Sequence, residues 1–404
     1  MVCYFAGAVV ARVGDEMSGP ALMLAGYAVA GSAARASALL AGITAAAAAG
    51  GPVLGAVLDR RRRPGRLLAA TLALYAAGLV SVLAGLGRLP FTVTVVVAVL
   101  TGLLGPALSG GWTGQLPRVV PGDRLPRANA FDAMTFGLAS LTGPVLAGGL
   151  AEALGASTAV VVSAALIGSA APAAWTLPAR RPQERRARQG PLIGDLAAGV
   201  RVIVHNPRLA RATLTSVVCC AAQGMLTACL PLLGERALGA AGRGTLLLSC
   251  AAVSALAANA VLARFPRSVA PDALIRAGAL IQAGAFALAA TARPAALVLS
   301  LLLAGIGEGP QLTALFAVRH REAPDDLRGQ IFTMGASLKI TAFASGAALA
   351  GPLATWSLPG ALATAAGVAA FAPLACLAVP DARLPRRART RITPDRRPAN
   401  RQRR

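Results

Sequence analysis

A chain of 404 residues that is 56% hydrophobic and only 14% charged, with a positive mean hydropathy, has too little polar surface for an ordinary soluble domain. Its formal net charge of +23 rests on 38 arginines and one lysine, yet these sit in short turns and not on a continuous face interleaved with aromatics, which make up only 4% of the chain. Nucleic acid is thereby excluded as a partner, and the chain reads as an integral membrane protein.

Apolar spans run roughly over 2–29, 36–58, 67–87, 91–111, 130–151, 156–177, 212–233, 244–263, 273–292, 295–318, 330–353 and 360–379. Each approaches the ~20 residues that cross a bilayer as a helix, so twelve transmembrane helices and an all-α membrane fold are expected. In span 1, Arg12, Asp15 and Glu16 interrupt what would be a signal-peptide core, so this helix should stay uncleaved. Its apolar run begins almost at Met1, which leaves a start codon upstream open. Spans 2 and 3 are joined by Gly55 to Arg66, a tight loop holding Asp59 and five arginines. A turn that basic is retained on the cytoplasmic side. With the N-terminus also inside, the cytoplasmic segments carry 32 basic residues and the opposite side five (Arg35, Arg88, Arg236, Arg243, Arg293). Both termini of this multi-pass protein of the cell membrane are therefore expected in the cytoplasm.

Farther along, 178–211 is the longest internal polar stretch and holds eight arginines, as a cytoplasmic linker between a bundle at 1–177 and another at 212–379 should. Internal similarity supports the division. Pro121, Leu125 and Phe131 are echoed by Pro324, Leu327 and Phe332, and Gly143-Pro144 with Gly148 and Gly149 is echoed by Gly346 with Gly351 and Pro352. Two parallel six-helix repeats around a central site are the expected architecture. The glycines and Pro144 are read as smooth faces for close helix packing. The tail, 380–404, has ten arginines and no core-forming pattern; it is expected to be disordered, resting on anionic lipid as the basic loops do, or simply solvated.

The loop between spans 2 and 3 resembles the signature Gly-x-x-x-Asp-Arg-x-Gly-Arg-Arg of major facilitator superfamily transporters, with Gly55, Asp59, Arg60 and Arg63 in register and Arg62 where the family has glycine. Span 1 (Gly14-Asp15, Ala21-Leu22, Tyr27, Gly31-Ser32) and the Gly143 to Gly149 segment are similar to the drug, macrolide and siderophore exporter branch. Span 4 departs from many drug antiporters in lacking an arginine. The resemblance implies alternating access without a cofactor, driven by a proton gradient. It also implies that Asp59, with Gly55, Arg60 and Arg63, clasps the two halves; the dipole at the start of span 11, near Gly329-Gln330, favours a carboxylate there.

Ionisable groups inside apolar spans are costly and mark working sites. Asp15 and Glu308 are the leading proton carriers, because a carboxyl group in a low-dielectric cavity can load and release a proton as the cavity changes sides. Glu16 and Arg12 belong with Asp15 on span 1. The competing reading is that Arg12, three and four residues away, merely neutralises both acids. Glu308 lies in Gly305-Ile306-Gly307-Glu308-Gly309-Pro310, where glycines and proline predict a broken helix lining a cavity. Lys339, the single lysine, is its expected partner, either as a coupling pair or as a static buried pair. Gln115, Gln223 and Gln311 are candidates for lining a largely apolar substrate cavity. His205 and His320 fall in separate loops, and the six cysteines lack metal-ligand spacing and read as packed hydrophobes, so no metal site and no enzyme activity are expected. The resemblance points to a monomeric secondary transporter exporting small amphipathic molecules such as drugs; an uptake permease and a transport-inactive scaffold or sensor are the alternatives.

Overall fold

The computed structural model describes residues 1–30, 33–179, 192–239, 241–265 and 268–375. The tail from residue 380 and the first part of the linker lie outside them. The described residues form α1 (Val2–Ala30), α2 (Ala33–Arg60), α3 (Pro64–Gly85), α4 (Phe91–Gly102) continued by a π-helical turn (Ala107–Gly111), α5 (Leu116–Val119), α6 (Leu125–Leu154), α7 (Ala156–Ser169) and α8 (Ala171–Trp175). After the linker come α9 (Leu192–His205), α10 (Pro207–Leu238), α11 (Ala241–Arg264), α12 (Pro271–Ala289), α13 (Pro294–Glu322), α14 (Arg328–Trp356) and α15 (Leu358–Ala375). Ten helical segments among them are long and apolar enough to cross a membrane, with a shorter apolar stretch at Leu358–Leu374. The first span carries three charges and the last is short. The twelve expected spans correspond to α1, α2, α3, α4 with its π turn, α6, α7 with α8, and α10 to α15.

Local chemistry sets the breaks. Pro64 and Pro207 occupy first turns, where a missing N–H costs nothing. The Asn206 side chain caps α10 by accepting from the N–H groups of Arg208 (3.0 Å) and Leu209 (3.2 Å). Gly239 ends the same helix at φ +77°, and Gly155 turns the chain between α6 and α7 at φ +91°, conformations that glycine adopts freely.

One apolar core is drawn from residues of the first half, including Leu22, Leu39, Leu72, Trp112 and Ile167, and a second from Leu226, Leu230, Phe286, Leu301 and Leu362. Between them α2 lies along α14, and α6 packs on α11 and α13.

Four expectations need correction. The linker is not polar throughout: its second part is α9, whose Ile203 is buried with Leu209, Ile275, Val318 and Ile331. The helix around Glu308 is not broken. α13 runs continuously through Pro310, because Gly305, Gly307 and Gly309 serve as notches instead; a Cβ on them would meet the carbonyl oxygens of Ala251, Gly278 and Ala255 at 2.0, 2.8 and 2.7 Å. His320 is not in a loop, since α13 continues to Glu322, which Arg208 of α10 pairs at 3.0 Å. Among the glycines, Gly143 faces Glu16 and Met17, and Gly346 faces the Ala221 carbonyl, but Gly148, Gly149 and Gly351 have nothing within 4 Å of a Cβ, and Pro144 is exposed. Only Gly143 and Gly346 of that set bring helices together.

Candidate functional site

The two halves are fastened at the end where the basic loop lies. Gly51 and Gly55 let α2 approach α14 so closely that a Cβ on either would strike Ser337 or Thr333. Ser337 Oγ donates to the Ala47 carbonyl (2.7 Å) and accepts from Gly51 N–H (3.1 Å). One turn on, Asp59 is only 4% exposed and accepts from the first N–H groups of α14, Gly329 to Oδ1 (3.0 Å) and Gln330 to Oδ2 (2.7 Å). Both carboxylate oxygens thus meet the positive end of a 29-residue helix. Arg60 and Arg63 beside it are exposed, Arg63 at the cap position of α3.

Above this fastening Glu16 and Glu308 face each other from the two halves. Asp15 lies beside Tyr75 of α3 and is turned into the first half. Glu16 is turned the other way: it is exposed, lies beside Ser140 of α6, and is close enough to Glu308 of the opposite half to interact electrostatically. Glu308 lies beside Gln223 and faces the charge of Lys339. Glu308, Gln223 and Lys339 line one small cavity with Ser216, Cys219, Cys220, Gln311 and Leu312 of the same half. Its free space is about 10 Å³, room for one water. Gln311 is braced there, donating to the Ile275 carbonyl (3.2 Å) and accepting from Gln282 (2.9 Å). Gln115 is elsewhere: it donates to the Gly111 carbonyl (3.2 Å) and pairs with Arg118 at the end of the fourth span, so it does not line this cavity.

Sequence reasoning missed the partner of Arg12. The guanidinium acts on Asp15 through its charge alone; its hydrogen bonds go elsewhere, mostly to α6. It bonds Asp132 Oδ1 (3.1 Å), Oδ2 (3.3 Å) and the Asp132 carbonyl (3.1 Å), as well as Thr113 Oγ1 (2.8 Å) and Thr135. Tyr4 and Thr113 donate the remaining hydrogen bonds to Asp132 at 3.2 and 2.8 Å. Both charges are buried, at 2% and 0% exposure. The signal was present, since Asp132 is an acid inside the apolar span 130–151.

Arg12 also lies 3.7 Å over the ring of Phe136. From there aromatic contacts cross the two halves, Phe136 to Phe316 at 5.8 Å and Phe316 to Phe332 at 5.9 Å, with His320 4.5 Å from Phe332. On the far side Arg319, 2% exposed, sits 5.8 Å from Phe332, and its Nε and Nη2 have no hydrogen-bond partner among the described residues. In a chain so poor in aromatics, this layer separates the central carboxylates from the Asp59 end.

Among the described residues no group of three or more His, Cys, Asp or Glu could hold a metal ion. His205 is exposed at the end of α9, and Cys3 is exposed, unlike the packed Cys219, Cys220 and Cys229.

What remains is two helical halves, a fastening at one end and a charged centre between them, and residues 4–338 match the model of the Major Facilitator Superfamily. The chain belongs to that superfamily. It is an integral membrane protein and a secondary transporter, a family of carriers and not of enzymes. It is 29% identical over 287 residues, 70% of each chain, to an uncharacterized MFS-type transporter, y4rN, of Sinorhizobium fredii (strain NBRC 101917 / NGR234). Among solved structures it is similar to the human organic anion transporter MFSD10 (TM-score 0.75, 16% identity, 93% of this chain and 98% of that one). It is also similar to a bacterial homologue of the iron transporter ferroportin in an outward-facing state (0.74, 15%, 93% and 99%) and to the transporter FucP in the outward conformation (0.70, 16%, 94% and 98%). At such identities these likenesses show the fold alone.

Proposed function

We propose that the protein is a proton-coupled exporter of small amphipathic molecules, working by alternating access in the cell membrane with both termini cytoplasmic. The observation that carries this reading is the convergence of Glu16 and Glu308, one from each half, on the central space, with Lys339 beside Glu308. Two carboxylates on facing halves repel when both are charged, so a proton or a cationic group between them favours closure around the site. A loaded carrier can therefore rock where an empty one resists. Lysine suits the second position because, unlike arginine, it can give up its proton as its partner is neutralised. The 32 to 5 distribution of basic residues supports the orientation. The contacts described between the halves lie at the level of the two acids or on the Asp59 side, which fits a cavity that opens away from the cytoplasm.

The test uses purified protein in proteoliposomes with a fluorescent amphipathic dye. Glu308→Gln should abolish dye accumulation driven by a pH gradient while leaving dye counterflow at equal pH, because exchange needs rocking without net proton transfer. Full gradient-driven accumulation by a stable Glu308→Gln, Lys339→Met double variant overturns coupling through this pair. Cells expressing the protein should hold less dye than control cells; higher dye content would replace export by uptake.

A further inference from the structure

We infer that the groove at the start of α3 is a binding site for the headgroup of an anionic phospholipid. It is lined by Arg61, Arg62, Arg63, Arg66 and Leu67 and has a volume of about 390 Å³. Several observations point to a missing anion. The four guanidiniums form no ion pair with any acid among the described residues. The loop's own acid, Asp59, is buried against the N–H groups of Gly329 and Gln330, with both carboxylate oxygens accepting from α14. The helix adds to the imbalance. α3 begins with Pro64, has no acid in its first turn, and its cap residue, Arg63, supplies no side-chain hydrogen bond. Four cations thus surround the positive end of a 22-residue helix, where an anion is the favoured partner.

The surroundings select a lipid over a soluble phosphate. Arg66 lies 5.0 Å from the ring of Trp175, which is 57% exposed at the end of α8. An exposed tryptophan at the end of a spanning helix marks headgroup depth. Leu67 gives the groove an apolar wall continuous with the spanning face of α3, fit for the glycerol and first acyl carbons. Planar guanidiniums bind phosphate oxygens in pairs, so phosphate diesters are the groups this lining recognises. A lipid held here would sit against residues that begin two positions after Asp59 and thereby bear on the clasp between the halves.

The experiment measures lipid retained by the detergent-purified full chain in native mass spectrometry, after exposure to equimolar phosphatidylglycerol and phosphatidylcholine. The protein should retain phosphatidylglycerol preferentially. Replacing all four arginines, Arg61→Gln, Arg62→Gln, Arg63→Gln and Arg66→Gln, should reduce that retention by about tenfold or more. The same number of changes in the tail, Arg386→Gln, Arg387→Gln, Arg389→Gln and Arg391→Gln, should leave it near the parent level. Should the fourfold loop variant not insert, Arg61→Gln with Arg66→Gln serves instead. Unchanged retention by the loop variant, or an equal loss from the tail variant, overturns the assignment. Displacement of the lipid by millimolar inorganic phosphate would transfer the site to a soluble anion and overturn the lipid reading.

Discussion

Each half of the molecule buries charge beside the central space, and the two do so in opposite ways. In the first half Arg12 and Asp132 satisfy each other through both carboxylate oxygens, with Thr113, Thr135 and Tyr4 completing the set. In the second, Glu308 and Lys339 face a cavity with room for a single water and share it with Gln223 and Gln311. A network in which both carboxylate oxygens and both terminal guanidinium nitrogens are paired holds one arrangement, whereas a pair with space around it can exchange partners and protons. The Arg12–Asp132 set is built as a fixed wall, whereas the charge at Glu308, and at Glu16 facing it, can change.

The largest effect should come from breaking the fixed wall. Asp132→Ala leaves an uncompensated buried guanidinium and should cost about 3–5 kcal/mol, seen as lost membrane-inserted protein. Replacing both charges, Arg12→Met with Asp132→Leu, should restore most of the abundance measured by fluorescence-detected size exclusion. If Asp132→Ala is as abundant as the parent, the wall is not held by this pair and the contrast between the halves collapses.

A smaller effect is expected at the clasp. Asp59→Asn keeps one acceptor but sets an amide against the N–H groups of α14, a loss of about 1–3 kcal/mol that falls on the state in which α2 and α14 touch. The rate of interconversion, followed by fluorescence between labels on the two halves, should change while equilibrium dye affinity stays within about twofold of the parent, because Asp59 does not border the cavity. Lost affinity with unchanged interconversion would move Asp59 into the binding site.

The smallest effect separates glycines that look alike in sequence. Gly351→Ala, with open space around it, should stabilise by roughly 0.5–1 kcal/mol through helix propensity. Gly346→Ala places a methyl 1.9 Å from the Ala221 carbonyl oxygen and should lower the melting temperature by pushing α14 off α10. Equal melting temperatures for the two variants would mean that the close approach at Gly346 does not bear on stability.

These contrasts also mark what could be read from the chain alone. Span length and apolarity are properties of contiguous residues, so the spanning helices were legible; the meeting of Asp59 with the start of α14 was legible through the resemblance of its loop to the superfamily signature, with the helix dipole as the physical reason. The ion pair of Arg12 was not, because its partner lies 120 residues away and periodicity along α1 offered nearer acids. The glycines around Glu308 misled for a related reason. A glycine that breaks a helix and one that admits a neighbouring backbone have the same letter, and only the carbonyls of Ala251, Gly278 and Ala255 opposite them decide the matter.

The short helix in the linker gives the connection between the halves a mechanical character. Leu196 accepts a hydrogen bond from the Gln330 side chain at 3.3 Å, Gly199 lies flat against that same side chain, and Ile203 is buried beside Ile331. Gln330 is also the residue whose N–H holds Asp59. A shift of α9 is therefore felt at the latch through Gln330, a residue that does not border the cavity, so the linker helix props the latch from the side opposite to Asp59.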